Sequence, residues 1–187
     1  MSIRAIETSF KGYRFRSRLE ARYAVFLDAL GVRYEYEKEG FELGDAGRYL
    51  PDFWLPDLHV WLEVKGQEPK WDEIRKAQEL YYAAERTGEW AVAIGVGEPH
   101  YGDLRVFCFD HTESSGGENW WHGCQWYSDG QEAGIITNSC SGFREYLPNT
   151  IYSVGVMPSN DPHLIAEAAR AARGARFEHA EHWSDIA

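Results

Sequence analysis

Two carboxylates and a lysine near position 60 have the residue types and the spacing of a metal-dependent hydrolytic site. Asp52 follows Pro51, and Glu63 and Lys65 are separated by one residue, with a turn-forming Pro-Asp-Leu sequence at 56–58 between the two groups. A hairpin whose turn is centred between positions 57 and 58 pairs residues whose numbers sum to 115, which places Asp52 opposite Glu63. Side chains alternate along a strand, so Lys65 shares the face of Glu63.

The charge of this group indicates its chemistry. Directly opposed residues have Cβ atoms about 4.5–5.5 Å apart, and like charges at that separation destabilise a sheet unless a cation lies between them. Oxygen ligands on rigid strands, with coordination positions left for water and a substrate phosphate, are typical of a Mg²⁺ site for phosphodiester hydrolysis. The lysine then orients the attacking water or helps to deprotonate it.

These residues resemble the motif of the PD-(D/E)XK nuclease superfamily, in which a Pro-Asp and a Glu-X-Lys stand on adjacent strands. The resemblance extends over about residues 10–112. The matching residues in this chain are Pro51-Asp52 and Glu63-Val64-Lys65.

Two features outside the predicted hairpin add to the resemblance. The superfamily often supplies a further carboxylate from its first helix, and Glu20 has that position. In its RecB-like branch a Gln-X-X-X-Tyr follows on the next helix, and Gln78 and Tyr82 have that spacing, on one helical face.

The resemblance implies a restriction-endonuclease-like core and a deoxyribonuclease that uses Mg²⁺-activated water, with Mn²⁺ as a substitute and endonucleolytic cutting favoured over exonucleolytic. Asp52 and Glu63 would bind the metal, together with the carbonyl of Val64. Lys65 would position the nucleophile and stabilise developing charge, and Glu20 would bind a second ion or its water. Restriction, repair, phage and mobile-element proteins use this superfamily, so the biological role stays open.

The charge of the chain is polarised. Its 187 residues carry 19 basic and 30 acidic side chains, a net charge of −11, which by itself argues against passive binding of a polyanion. Residues 11–22, however, carry five basic side chains and one acidic one, which predicts a basic face for DNA. The predicted phosphate contacts are Gln78, Tyr82, Arg14, Arg16, Arg18 and Arg22.

Hydrophobic spacing predicts an α/β (α+β) fold, a mixed sheet flanked by helices in the order αβββαββ. The predicted helices cover residues 17–30 and 69–87, and the predicted strands cover residues 33–37, 48–55, 59–65, 90–96 and 104–110. The inward stripe of the second helix is predicted to be Trp71, Ile74, Ala77, Tyr81 and Ala84. The Ser/Gly-rich sequence at 113–118 is interpreted as the seam between a core at 1–112 and a small C-terminal extension at 113–187.

The extension has weaker signals. Strands are predicted near Ile135 and Ile151, followed by a helix from position 161 to about 173. Its tryptophans between 120 and 126 are predicted to pack in a small core, with stacking on unpaired bases as the alternative. His122, Cys124 and Cys140 lack the spacing and the fourth ligand of a closed zinc site, so structural zinc is not expected.

The sequence also suggests where the protein works. It contains no apolar run of membrane-spanning length and no secretory signal at its start, so a cytoplasmic protein that does not bind membranes is expected. Its three widely spaced cysteines argue against a disulfide framework. Cutting both strands of DNA needs two sites, which a homodimer would supply, although no heptad or apolar patch predicts one.

The carboxylates have structural interpretations as well. Glu20 is three residues after Ser17, where a capping box accounts for its side chain without any metal. Asp52 is compatible with a strand-edge turn, and Glu63 with Lys65 is compatible with a solvated sheet face. The tryptophans at 54 and 61 would share that outward face, so it is not a plain polar surface.

The remaining predicted contacts have alternatives too. Gln78 and Tyr82 can simply flank the core stripe of their helix, and the arginines at 14–22 can be a solvated helix start, although the helix dipole disfavours cations there. Two other classes of function therefore stay open. One is a non-catalytic nucleic-acid-binding module on the same fold, and the other is a protein-interaction domain.

Overall fold

The structure, a computed structural model, describes residues 6–85, 91–100, 104–108, 120–128, 133–137 and 161–177. Three predictions lie outside these residues: the strand near Ile151, Cys140, and the seam at 113–118. The described part of the chain is a mixed α/β fold with three α-helices and a central mixed sheet. No helix in it is long and apolar enough to cross a lipid bilayer.

The helices agree closely with the sequence pattern. They are α1 (Arg18–Ala29), α2 (Trp71–Glu85) and α3 (Pro162–Gly174). The Ser17 side chain accepts a hydrogen bond from the Glu20 amide at the start of α1, and Gly31 follows the helix with a φ of 73°. Asp161 caps α3 in the same way, before the N1 proline.

The strands divide into one main sheet and two small hairpins. In chain order they are β1 (Thr8–Phe10), β2 (Tyr13–Phe15), β3 (Glu35–Tyr36), β4 (Phe41–Glu42), β5 (Arg48–Tyr49), β6 (Phe53–Leu55), β7 (Val60–Lys65), β8 (Ala91–Val96), β9 (Leu104–Cys108), β10 (Trp120–Ser128) and β11 (Ala133–Thr137). A short 3₁₀ turn, Gly44–Ala46, joins β4 to β5.

Four strands, β6 to β9, make the centre of the main sheet. The pairs β6–β7 and β8–β9 are antiparallel, whereas β7 and β8 are parallel and are joined through α2. The sheet continues through β3 beside β6, and through β10 and β11 beside β9. The predicted mixed sheet with flanking helices is therefore confirmed at this level.

Two hairpins depart from the predicted order αβββαββ. The pair β1–β2 precedes α1, and β5 pairs with β4 instead of joining the main sheet. The predicted strand at 48–55 is thus two strands, with Pro51 between them, because proline has no N–H to donate to a sheet ladder.

The register between β6 and β7 is the predicted one. Phe53 pairs with Leu62, and the next two pairs also have numbers that sum to 115. Asp52 is the residue just before β6, and Glu63 follows Leu62 on β7. The turn therefore fixes which residues of the two strands face each other.

Helices cover both faces of the sheet. On one face, α1 and α3 pack with β6 and β7 in a core that includes Phe26, Leu27 and Ala168. Trp126 of β10 is buried there, with its ring 5.3 Å from that of Phe26. Trp126 is thus packed in a core as predicted, but in the main core beside α1 and not in a separate small core of the extension.

The opposite face is buried beneath α2, and two predictions about it were wrong. Trp54 and Trp61 lie in a second core with Ala77 and Leu80, so their face does not point to solvent. Trp71, predicted to point inward, is 75% exposed. Periodicity assigns a side chain to a helix face, but it does not reveal how far along the helix the sheet extends.

Candidate active site

Asp52 and Glu63 are buried side by side where β6 and β7 meet. Their residues are only 3% and 6% exposed, respectively. The carboxylate of Asp52 accepts a hydrogen bond from the Val64 amide at 2.7 Å, which ties it to β7. This burial excludes the interpretation in which both acids are solvated on an open sheet face.

The pair is electrostatically strained. Burial raises the pKa of Asp52 well above its usual value, and the charges of Glu63 and Glu20 raise it further, against the opposing effects of the Val64 amide and Arg16. Burial also raises the pKa of Glu63, although Lys65 acts to lower it. The fold thus keeps together two acids that repel each other when both are ionised.

One oxygen of Glu63 has no hydrogen bond. Its Oε2 is buried without a partner, and the Tyr49 hydroxyl is buried without one as well. Each group nevertheless contributes to the other's pKa shift, so the two groups lie close together. A buried carboxylate oxygen without a donor is costly unless something else binds it.

Lys65 supplies a positive charge at the edge of the pair. Its Nζ lies 2.7 Å from Glu63 Oε1 and 3.1 Å from Glu73 Oε1. Burial lowers the pKa of Lys65, but the two carboxylates outweigh that effect and the net direction is upward. The ammonium group is therefore protonated at neutral pH, a state suited to stabilising negative charge.

Arg16 supplies the second positive charge. Its Nη2 donates a hydrogen bond of 2.9 Å to Asp52 Oδ1, and its Nε forms an ion pair of 2.6 Å with Glu37. The sequence predicted this arginine as a DNA contact, and the structure directs it towards the buried acids.

Glu20 is buried next to this region, with both oxygens occupied. Its Oε1 accepts from the Ser17 hydroxyl at 2.6 Å, and its Oε2 accepts from the Tyr36 hydroxyl at 2.6 Å and the Arg16 amide at 3.0 Å. Glu20 contributes to the pKa shift of Asp52, so it belongs to the same electrostatic cluster. Its contacts fit the capping interpretation, and its predicted role with a second ion stays a prediction.

The other predicted contacts lie further out. Gln78 donates to the Tyr82 hydroxyl at 3.3 Å, so the two residues share a helix face as predicted. Arg14 is paired with Glu7, and Arg22 is paired with Glu98. Arg18 also has an interaction partner. Their predicted contacts with DNA are not tested by this geometry.

A cavity of about 710 Å³ opens beside the buried acids. Glu63, Lys65 and Arg16 line it, as do Arg48 of β5 and Lys76 of α2, whose Nζ donates to the Arg48 carbonyl at 3.2 Å. Its walls carry four basic and four acidic side chains, a balanced lining in a chain of net charge −11. An anionic substrate would therefore meet less repulsion here than the charge of the whole chain suggests.

Sequence reasoning missed four members of this site: Tyr49, Glu73, Arg48 and Lys76. Tyr49 is two residues before Pro51 of the Pro-Asp motif, and Glu73 lies in the first turn of α2. Neither residue type at these positions forms a recognisable motif. They reach the site because β5 and α2 flank the cavity.

Asp52 and Glu63 are the residues that could hold a divalent metal ion here. The described residues contain no group of three or more His, Cys, Asp or Glu side chains arranged to hold a metal ion. Mg²⁺, however, keeps several waters and usually binds through one or two carboxylates. The unpartnered Oε2 of Glu63 and the mutual repulsion of the acids are the features that such an ion would relieve.

Comparison with known proteins adds no assignment. No protein-family model, no curated protein and no solved structure matches this chain.

Proposed function

We propose that the protein is a metal-dependent nuclease that hydrolyses phosphodiester bonds in DNA, on a core of the restriction-endonuclease-like type. The observation that carries this proposal is the buried pair of Asp52 and Glu63, with an unpartnered carboxylate oxygen and an ammonium group 2.7 Å from the other oxygen. Buried acids with perturbed pKa values and a charged partner are typical of functional sites.

Asp52 and Glu63 would hold the ion, and the Val64 carbonyl is the proposed further ligand. When bound, Mg²⁺ or Mn²⁺ would activate a water molecule and neutralise charge on the phosphate. The chain's own contribution is to fix the two acids: the Val64 amide orients Asp52, and Lys65 orients Glu63.

Lys65 is proposed to stabilise the negative charge that develops on the phosphate. Its raised pKa favours this role over the deprotonation of water, because the ammonium stays charged at neutral pH. Glu73 restrains the same ammonium from the side of α2, at 3.1 Å. Lys65 is thus held between two carboxylates, on the wall of the cavity.

DNA is proposed as the substrate because an arginine-rich segment adjoins the site. Arg16 reaches the acid pair itself, and Arg48 and Lys76 add positive charge on the cavity wall. Contacts of this kind position a phosphate backbone without reading its sequence.

The test is incubation of the protein with supercoiled, linear and single-stranded DNA in Mg²⁺, in Mn²⁺ and in EDTA. The proposal predicts nicking or linearisation that needs the metal and is lost in Glu63→Gln. Glu35→Gln is the matched control, because Glu35 pairs with Lys38 at the surface and does not line the cavity. Unchanged cleavage by Glu63→Gln, or cleavage in EDTA, would contradict it.

One observation favours a second candidate, a non-catalytic nucleic-acid-binding module. Among the described residues both buried acids already have a basic partner, Arg16 for Asp52 and Lys65 for Glu63. DNA binding that needs no metal, together with no Mg²⁺ or Mn²⁺ binding by calorimetry, would support this module over the nuclease.

A further inference from the structure

We infer that Arg16 is a built-in counter-cation that holds the metal-binding oxygen of Asp52 in the metal-free protein, and that a divalent ion must displace it. This inference rests on the proposed function. It assigns Arg16 a positioning role at the metal site, in addition to its predicted contact with DNA.

The two oxygens of Asp52 have different kinds of partner. Oδ2 accepts from the Val64 amide at 2.7 Å, and that backbone group is fixed in β7. Oδ1 accepts from Arg16 Nη2 at 2.9 Å, and that donor is the end of a long side chain. Oδ1 is therefore the oxygen that becomes available when one side chain changes its rotamer.

Exposure shows which partner of the ion pair would move. The Asp52 side chain is 4% exposed, whereas the Arg16 side chain is 53% exposed. A guanidinium that is half in water regains hydration when it swings away, but the buried carboxylate cannot. A divalent cation bound to Asp52 Oδ1 would repel the guanidinium of Arg16, because both are positively charged. The ion and Arg16 therefore compete for the same carboxylate oxygen.

The backbone of Arg16 is held independently of its side chain. Its amide donates to Glu20 Oε2 and to the Tyr36 hydroxyl, each at 3.0 Å. Glu20 in turn is fixed by the cap of α1 through Ser17. Displacement of the guanidinium thus requires no movement of the chain, and Glu37 remains as its second anionic partner.

The inference makes two opposite predictions for Arg16→Gln. The variant binds Mn²⁺ about tenfold more tightly, equal to about 1.4 kcal/mol, because the ion no longer displaces a charge-assisted hydrogen bond. The same variant unfolds at a lower temperature in EDTA, because buried Asp52 has lost its cation. A merely structural role would lower stability without tightening metal binding.

The experiment is isothermal titration of Mn²⁺ into the full chain in low-salt buffer, paired with thermal unfolding in EDTA. Arg14→Gln is the matched control, since Arg14 is two residues earlier and pairs with Glu7 at the surface. It should match the wild type in both measurements. Arg16→Lys keeps a positive charge without the planar fork and should bind Mn²⁺ with an intermediate affinity.

The outcomes separate this inference from the proposed function. Tighter Mn²⁺ binding by Arg16→Gln, with Arg14→Gln unchanged from the wild type, supports the inference. Mn²⁺ binding that is unchanged or weaker in Arg16→Gln, while the wild type binds and Asp52→Asn does not, overturns the inference and leaves the nuclease proposal standing. Absence of Mn²⁺ binding in the wild type and in both Arg16 variants overturns both.

Discussion

Replacing Glu63 by glutamine should stabilise the metal-free protein, although it removes a buried ion pair. Glutamine has the shape of glutamate but no charge, so the repulsion that helps to raise the pKa of Asp52 disappears. Its amide can also donate to the neighbouring Tyr49 oxygen from the place where Oε2 now has no partner.

The change in the free energy of unfolding depends on two opposing effects. The variant removes an unsatisfied buried oxygen, and it loses an ion pair. An unsatisfied buried polar group costs about 1–3 kcal/mol. Against this, the variant loses the attraction to Lys65, which is 26% exposed and keeps Glu73 at 3.1 Å, so that loss is about 1 kcal/mol. The net expectation is a gain of roughly 0–2 kcal/mol, or a melting temperature higher by up to about 8 °C for a chain of this size.

The assay is urea or thermal unfolding in EDTA at pH 7.5, repeated with Mg²⁺ in excess. Metal should stabilise the wild type, and it should leave Glu63→Gln unchanged because the variant lacks one ligand. Glu42→Gln is the matched control, since Glu42 is an exposed partner of Arg48 and its loss should change stability by less than about 0.5 kcal/mol. A Glu63→Gln protein that is less stable than wild type in EDTA would refute the reasoning.

Three further predictions follow from the same geometry. Folding raises the pKa of Asp52 above its unfolded value of about 3.9, so the folded state binds the proton more tightly and the metal-free protein loses stability as pH rises above about 4. Urea unfolding at several pH values should show this fall in stability, and Asp52→Asn should flatten it. A rise in stability over the same pH range would contradict the prediction. Gly95→Ala should cost about 1–3 kcal/mol in the free energy of unfolding, because the new Cβ would lie 2.5 Å from the hydroxyl of buried Tyr23; an unchanged urea midpoint would show that the ring moves aside. Arg48→Ala should weaken DNA binding severalfold in EDTA and reduce the salt dependence by about one counterion, whereas Arg33→Ala, remote from the cavity, should not; equal effects of the two variants in fluorescence anisotropy would argue against a DNA path along the cavity.

The placement of the acid pair could be predicted because it depends on local rules. A turn at 56–58 fixes the register of β6 and β7, and strand alternation then decides which side chains share a face. The two ends of α1 could be predicted in the same way, because Ser17 caps its start and Gly31 follows its last turn.

One local signal was available and was missed. The β1–β2 hairpin turns at Lys11 and Gly12, which both have positive φ values of 49° and 83°. Two consecutive positive φ values are typical of a two-residue type I′ hairpin loop, and the glycine at its second position is the part of that signal which the sequence contains. The hairpin brings Arg16 to the start of α1, so recognising it would have improved the prediction of the site.

The remaining features depend on tertiary structure. Arg16 and Asp52 are 36 residues apart, and nothing in their spacing indicates an ion pair. The burial of Trp54 and Trp61 depends on how α2 returns over the sheet, which the alternation of the strands does not determine. The cavity likewise arises from the meeting of β4, β5 and α2.

The central claim is that Asp52 and Glu63 bind one divalent ion between them. The most direct measurement is anomalous diffraction from crystals of the wild type and of Glu63→Gln soaked in Mn²⁺. The account predicts a manganese peak within coordination distance of both carboxylates in the wild type and none there in the variant. A wild-type crystal without manganese at these two side chains, or an unchanged peak in the variant, would contradict it.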